Sequence, residues 1–198
     1  MATATTVFRD PVHDAQRTFR CALEAMARPA TWQALPAAPE PLPGLGPGAT
    51  ALALTLLDHE VTAWLGPGAR AAGPGLRFAC GVAITEAPGQ ADFAFAAAAE
   101  LGDLSAFAAG SDTTPETSAT LVVEVDDHEG ETGLLCSGPG LAAPTPLRCR
   151  GLPPAFAAQW RRQAGRLPCG VDVFLLAGRR LAALPRTVEL QEAPCTQR

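Results

Sequence analysis

The chain has 198 residues and a net charge of −5, and all 15 of its basic residues other than histidine are arginine. Lysine, asparagine and tyrosine are absent, which excludes a Schiff-base lysine, a P-loop lysine and a tyrosine general acid. The acidic balance argues against nucleic acid or an anionic membrane as a partner.

At roughly 150 residues per domain, residues 1–198 are read as one domain. Its core is expected over about 7–188, with a polar tail after it. The six cysteines (Cys21, Cys80, Cys136, Cys149, Cys169 and Cys195) show no spacing of two to four residues. They are read as free thiols in a reducing compartment rather than as metal ligands or a disulfide set. Residues 1–9 lack the pattern of a signal peptide. The apolar runs fall far short of the ~20 residues of a membrane span. A cytoplasmic protein is expected.

In chain order, the first element is a helix from about Asp14 to Ala27, ended by Pro29. Ala15, Phe19, Ala22, Leu23 and Met26 recur at helical spacing as an apolar stripe, and Gln16, Arg17, Arg20 and Glu24 lie opposite. Residues 30–48 are rich in proline and glycine and read as an extended connection, with a short strand near Thr31 to Leu35. A helix is expected from Ala49 to Leu57, a strand from Val61 to Leu65, loop from Gly66 to Gly75, and a helical turn at Leu76 to Ala79.

Strands follow at Val82 to Glu86 and Asp92 to Ala96. Ala97 to Ala109 reads as an alanine-rich helix with Leu101, Leu104 and Phe107 inward. Ser111 to Ser118 is polar loop. Thr120 to Val125 and Leu134 to Ser137 read as a hairpin around an acidic turn, Asp126 to Thr132. Gly138-Pro139-Gly140 breaks its second strand, and residues 141–153 read as irregular. Pro154 to Arg166 is amphipathic, with Phe156, Trp160 and Ala164 at i, i+4 and i+8.

The clearest sheet signal is Val171 to Leu176. This apolar run is followed by the two-residue turn Gly178-Arg179 and a return strand, Leu181 to Leu184, stopped by Pro185. A strand apolar on both sides of its alternation belongs in the middle of a sheet covered on both faces. Interspersed strands and helices give an α/β class, and the two hairpins imply a mixed sheet.

Motif chemistry is sparse. Gly44-Leu45-Gly46-Pro47-Gly48 precedes a helix but lacks the preceding strand of a dinucleotide loop, and reads as a linker. Gly138-Pro139-Gly140 follows a strand, but Pro144 and Pro146 prevent the helix whose N-terminus would hold phosphate. His128 sits among Asp126, Asp127, Glu129 and Glu131, where a metal site competes with a solvated turn. His59 reads as a surface or capping residue, and His13 stands at the entry to the first helix. No serine or cysteine lies beside a histidine in a nucleophile pattern.

Arg17 and Arg20 share a helix face that can hold a phosphorylated ligand or a partner's acids, or be merely solvated. Asp172 and Arg186 bracket the last hairpin. In one reading Asp172 satisfies donors at a strand start while Arg186 points to solvent. In the other they form a polar pair at the rim of a cleft or interface.

Several landmarks together carry a resemblance. They are Pro11 through Arg20 with Met26 and Pro29, Leu76-Arg77-Phe78, and Gly170-Val171-Asp172 through Leu184-Pro185-Arg186-Thr187. In order and spacing, from about Val7 to Val188, the chain resembles the H-subunit family of the bacterial carbon–phosphorus lyase system. The resemblance implies a role in using phosphonates as a phosphorus source, in a core complex with G, I and J subunits. That complex replaces the adenine of ATP with a phosphonate, giving a ribose 1-phosphonate 5-triphosphate. A partner, the J subunit, later breaks the carbon–phosphorus bond with S-adenosylmethionine and an iron–sulfur cluster.

The implied fold is a three-layer α/β/α sandwich with a mixed central sheet. It is similar to the large domain of pyridoxal-phosphate-dependent transferases without the cofactor. A homodimer is implied for the isolated subunit. The missing lysine forbids the internal aldimine of a pyridoxal enzyme, and the cysteine spacing offers no cluster ligation. No cofactor is therefore expected on this chain, nor autonomous catalysis.

Asp14, Arg17, Arg20, Asp172 and Arg186 are the candidate cleft or interface residues; no catalytic residue, cofactor ligand or metal ligand is assigned. Two readings stay open beside this one. The first is an enzyme in its own right, handling a phosphonate or nucleotide through Asp14, Arg17, Arg20 or Arg186. The second is a stand-alone small-molecule-binding module with a degenerate transferase fold. A solitary enzyme needs a convergent set of titrating groups, which three scattered histidines do not supply.

Overall fold

The structure is a computed structural model and describes residues 8–37 and 39–193. Val7, Cys195 and the end of the expected tail lie outside the described residues.

Helix α1 spans Pro11–Ala27. It begins three residues earlier than its apolar pattern suggests because Asp10 caps it, accepting from the His13 N–H, while Pro11 supplies a pre-set first helical residue. Its buried face is Asp14, Thr18, Ala22 and Ala25. The expected stripe is therefore corrected: Phe19 and Leu23 are 45% and 55% exposed. Small side chains face inward where the helix lies close against its neighbours, and the two bulky ones are left outside.

A seven-stranded mixed sheet forms the centre, with strand order β1-β9-β8-β5-β4-β2-β3. Its members are β1 (Gln33–Ala34), β2 (Thr62–Leu65), β3 (Ala83–Thr85), β4 (Phe93–Ala97), β5 (Thr120–Glu124), β8 (Asp172–Ala177) and β9 (Arg180–Leu184). Strands β3, β2, β4, β5 and β8 are parallel neighbours. The expected terminal hairpin is β8 and β9, paired antiparallel from Ala177↔Arg180 to Val173↔Leu184 around Gly178-Arg179. β8 is central, and Val173 through Leu176 are buried.

The alternation of the strands sorts residues between two cores. Leu65, Phe95, Val122, Phe174 and Leu176 meet α1, helix α2 (Pro47–Leu56) and helix α3 (Gly73–Cys80) on one face. Leu121, Val123, Val173 and Leu175 face the other side. There they meet helix α4 (Phe156–Ala164) and a second, three-stranded sheet in the order β10-β6-β7. Its strands are β6 (Asp127–Ser137), β7 (Thr145–Arg150) and β10 (Glu189–Glu192).

This second sheet overturns four expectations. Thr120 to Val125 and Leu134 to Ser137 are not a hairpin, because β5 pairs with β4 and β8 while β6 pairs with β7 and β10. The acidic stretch from Asp127 belongs to β6 rather than to a turn. Residues 145–150 are strand rather than irregular. The supposed polar tail supplies β10, whose Leu190 is buried opposite Cys136. The β10–β6 pairing joins segments distant in sequence, which local pattern does not reveal, whereas β6 and β7 are consecutive strands joined through residues 138–144.

Two further corrections concern the middle of the chain. Residues 66–75, expected as loop, form a 3-10 helix over Pro67–Ala72 and the start of α3. The alanine-rich helix over 97–109 does not form. Ala98–Glu100 and Leu104–Ala106 are separate 3-10 turns, with Gly102 between them at a φ of +69° and Asp103 capping the second. A left-handed residue ends helical propagation. Leu101, Leu104 and Phe107 are nonetheless buried as expected.

Candidate functional site

The candidate residues fall in two places. On α1, the nearly buried Asp14 carboxylate accepts from the Asp10 N–H at 3.1 Å and from the Arg17 guanidinium. These contacts, the backbone N–H foremost, hold Asp14 below the usual carboxylate range. Arg17 remains largely exposed, and Arg20 is exposed on the same helix. His13 does not approach Asp14; its Nδ1 lies 2.9 Å from Asp10.

Asp172 and Arg186 meet at the other end of the hairpin's neighbourhood. The Ala30 N–H, three residues past α1, bonds the Ala183 carbonyl at 3.0 Å, one residue from the Val173↔Leu184 pair. Asp14 lies about 20 Å back along the helix at 1.5 Å per residue. The structure thus brings Asp14 to Arg17 and Asp172 to Arg186, but does not bring the two pairs together.

Arg186 is fully engaged. Its Nε is 3.2 Å from both Asp172 oxygens, and one NH1 bonds the Pro115 and Pro168 carbonyls at 2.9 and 3.3 Å. Its other nitrogen donates to Ser118 Oγ and Asp172 Oδ2. The Arg186 backbone N–H also donates to Asp172 Oδ1 at 2.7 Å. A guanidinium has five N–H donors, so none remains for a ligand. The pair lines a shallow open depression with Leu167, Pro185 and Thr187 but turns its polar atoms inward.

In open parallel sheets, ligands usually bind beyond the carboxyl ends of the strands, where the order reverses. Here that point lies between β2 and β4, and two carboxylates occupy the approaches. Glu124, ending β5, accepts from the Gly46 N–H at 2.9 Å, at the N-terminus of α2. Glu100 accepts from the Gly68 N–H at 3.0 Å with both oxygens. The two glycine segments also abut. A Cβ on Gly44, whose φ is +83°, would lie 2.3 Å from the Gly68 carbonyl oxygen. The Gly44–Gly48 stretch therefore spends its donors on the protein itself, in keeping with a linker rather than a phosphate loop. Burial pushes the Glu124 carboxyl up, partly countered by the Gly46 N–H.

A more enclosed cavity of about 420 Å³ lies between α4 and the Asp103–Ser105 turn, floored by Gly170 and Val171. Arg162 and Arg166 reach it, and Arg162 pairs with Asp103 at 3.2 Å. This cavity is not among the sites that the sequence discloses. The signal available was Arg166 four residues after Arg162; the opposing wall comes from a distant segment. His128 lies near Asp127 and Glu129, but among the described residues no group of three or more histidines, cysteines or carboxylates is placed to hold a metal. No helix among them is long and apolar enough to cross a membrane.

Comparison with known proteins places the chain in a family. The model of the bacterial phosphonate metabolism protein (PhnH) family matches residues 6–191. The chain belongs to the PhnH family. A relative from Rhizobium meliloti (strain 1021), alpha-D-ribose 1-methylphosphonate 5-triphosphate synthase subunit PhnH, is 35% identical over 187 residues, covering 93% of this chain and 94% of the relative. A putative C-P lyase subunit protein, HtxG of Stutzerimonas stutzeri, is 33% identical over 81 residues, or 41% of this chain and 42% of its own. The PhnH match includes α1, the β8–β9 hairpin and all but the last residue of β10, so the segments that carried the resemblance and most of the strand that composition hid fall within one family.

Proposed function

We propose that this chain is the PhnH subunit of a carbon–phosphorus lyase complex in phosphonate catabolism. It supports formation of ribose 1-methylphosphonate 5-triphosphate ahead of carbon–phosphorus bond cleavage. The observation that carries this reading is the 35% identity, over 93% of this chain, to a synthase subunit of that name. The role is accessory. The candidate arginine with the best-defined partners, Arg186, has no donor left for substrate, and beside the usual ligand position at the sheet the Gly46 and Gly68 N–H groups are taken by Glu124 and Glu100.

In this reading the chain is one domain. It has the three-layer plan of the large domain of pyridoxal-phosphate-dependent transferases and carries no cofactor. It works in the cytoplasm, pairs with itself when isolated, and docks on G, I and J subunits. The exposed Arg17, Arg20, Phe19 and Leu23 of α1 are surfaces on offer for such contacts.

Co-expression with the G, I and J subunits from one organism, followed by size-exclusion chromatography, tests the assembly. Co-elution of all four chains is expected. Elution of this chain alone while the other three assemble would remove the docking role. Turnover of ATP and a phosphonate by the isolated chain would show that the role is not accessory.

A further inference from the structure

The cavity between α4 and the Asp103–Ser105 turn carries a charge opposite to that of the whole molecule. The chain is −5 overall, yet the cavity is lined by two arginines and a single carboxylate. Arg162 is partly neutralised by Asp103. Arg166 has no ion pair and no side-chain hydrogen bond among the described residues, and neither has Ser105 Oγ nor Gln159 Nε2. The Gln159 Oε1 is occupied, accepting from the Leu104 N–H at 3.2 Å. The unspent groups around the cavity are therefore mainly donors, which suits an oxygen-rich anion. Leu104, Ala109 and Val171 give the same space an apolar wall.

The frame is fixed before any ligand arrives. Gln163 clamps Val171 from both sides, accepting from its N–H at 3.0 Å and donating to its carbonyl at 3.2 Å. The Gly170 N–H bonds the Ala109 carbonyl at 2.8 Å. The Asp172–Arg186 pair then ties the next residue to Pro115, Pro168 and Ser118. The volume, about 420 Å³, lies in the ~300–1,000 Å³ range of small-molecule sites. A preformed frame leaves less ordering cost at binding.

We propose that this cavity binds a phosphorus oxyanion borne on a small organic group, with Arg166 as its principal counter-charge and Arg162 as the second. The choice of phosphorus over other oxyanions rests on the family reading above; the donor geometry does not. A free phosphonate and the phosphate chain of a nucleotide share the chemistry this site recognises.

The test is calorimetric titration of the full chain with methylphosphonate, inorganic phosphate and ATP in separate arms, with sulfate as a fourth. Saturable one-to-one binding is expected for at least one phosphorus ligand and weaker binding for sulfate. The arm that binds most tightly identifies the source. R166A should weaken binding tenfold or more without moving the thermal midpoint. R70A, on the 3-10 helix after β2 and away from the cavity, should leave binding unchanged.

Absence of saturable binding in every arm would overturn the proposal, as would binding that survives R166A. If no anion binds but R166A blocks co-elution with the G, I and J subunits, the guanidinium serves a partner's carboxylate and the ligand site falls. Assembly is read separately from titration, so failure of the cavity and failure of the subunit reading are told apart.

Discussion

Asp172 and Arg186 close the open end of the β8–β9 hairpin, with both Asp172 oxygens bonded to Arg186 and the remaining Arg186 donors spent on Pro115, Pro168 and Ser118. One side chain thus holds two separate segments, 115–118 and Pro168, against the first residue of a central strand. The Asp172 and Arg186 side chains are 21% and 16% exposed, so the bonds form in a partly dehydrated setting. Pro185 adds to the arrangement by ending the ladder just before Arg186.

Removing either partner is expected to destabilise the fold through the charge left behind. For fully buried pairs the loss is about 3–5 kcal/mol; with residual exposure here, about 2–3 kcal/mol is expected for D172A or R186A. The comparison is E192A, which breaks an exposed pair with Arg161 and should cost about 0–1 kcal/mol. Urea denaturation of the three variants checks this. Equal midpoints for D172A and E192A would reduce the pair to decoration.

Glu124 predicts a pH dependence whose sign follows from burial. Its folded carboxyl is raised above its ordinary value, chiefly by desolvation. A raised carboxyl favours the folded state most when protonated, so its contribution is fully present below the unfolded pKa and is lost as pH rises through the folded one. E124Q keeps an acceptor for the Gly46 N–H while deleting the buried charge. It is expected to be more stable than the parent near pH 7, with the difference shrinking as pH falls towards 4. Thermal midpoints across that range test it. A gain in stability that is independent of pH would refute the assignment to charge.

The parts legible in the sequence were those decided locally. The β8–β9 hairpin was readable because an apolar run, a Gly-Arg turn and Pro185 lie within a few residues of one another. The core of α1 was readable from its period, but not which face was inward, since Ala22 and Thr18 lie inside while Phe19 and Leu23 do not. Composition misled over 97–109, where alanine suggests helix and Gly102 stops it. The β6–β7–β10 sheet was hidden because β6 begins in an acidic stretch, β7 carries Pro146 after a glycine- and proline-rich connection, and β10 finds its partner at long range. For the same reason the Arg162–Arg166 cavity was invisible: its facing wall at Asp103 is about 60 residues upstream.

Cys136 and Cys149 pack on neighbouring strands in the second core, and burial pushes both thiols up to about 12. Two results are expected. In native protein at pH 7, maleimide should label the half-buried Cys21 and Cys80 well before Cys136 and Cys149, as mass mapping would show. Stability should also decline as pH rises from about 9 towards 12, because the unfolded chain releases thiol protons that the folded one retains. C136A with C149A should flatten that decline. Rapid labelling of Cys136 in the native state would mean that the β10–β6–β7 sheet opens readily.

Gly44 tests whether the closed carboxyl end of the sheet is a structural requirement. Its φ is +83°, and an added Cβ would sit 2.3 Å from the Gly68 backbone carbonyl, which cannot rotate away as a side chain would. G44A therefore forces either backbone strain, about 1–2 kcal/mol for a left-handed non-glycine residue, or separation of the two glycine segments. The second outcome would draw Gly46 from Glu124 and Gly68 from Glu100 as well. A loss of about 2–4 kcal/mol is expected from the summed strain and the two weakened hydrogen bonds. Hydrogen exchange distinguishes the causes. If separation occurs, the Gly46 and Gly68 amides should lose protection together while those of β8 keep theirs. Unchanged protection at both glycines would leave strain at Gly44 as the whole effect, with the Glu124 and Glu100 contacts intact.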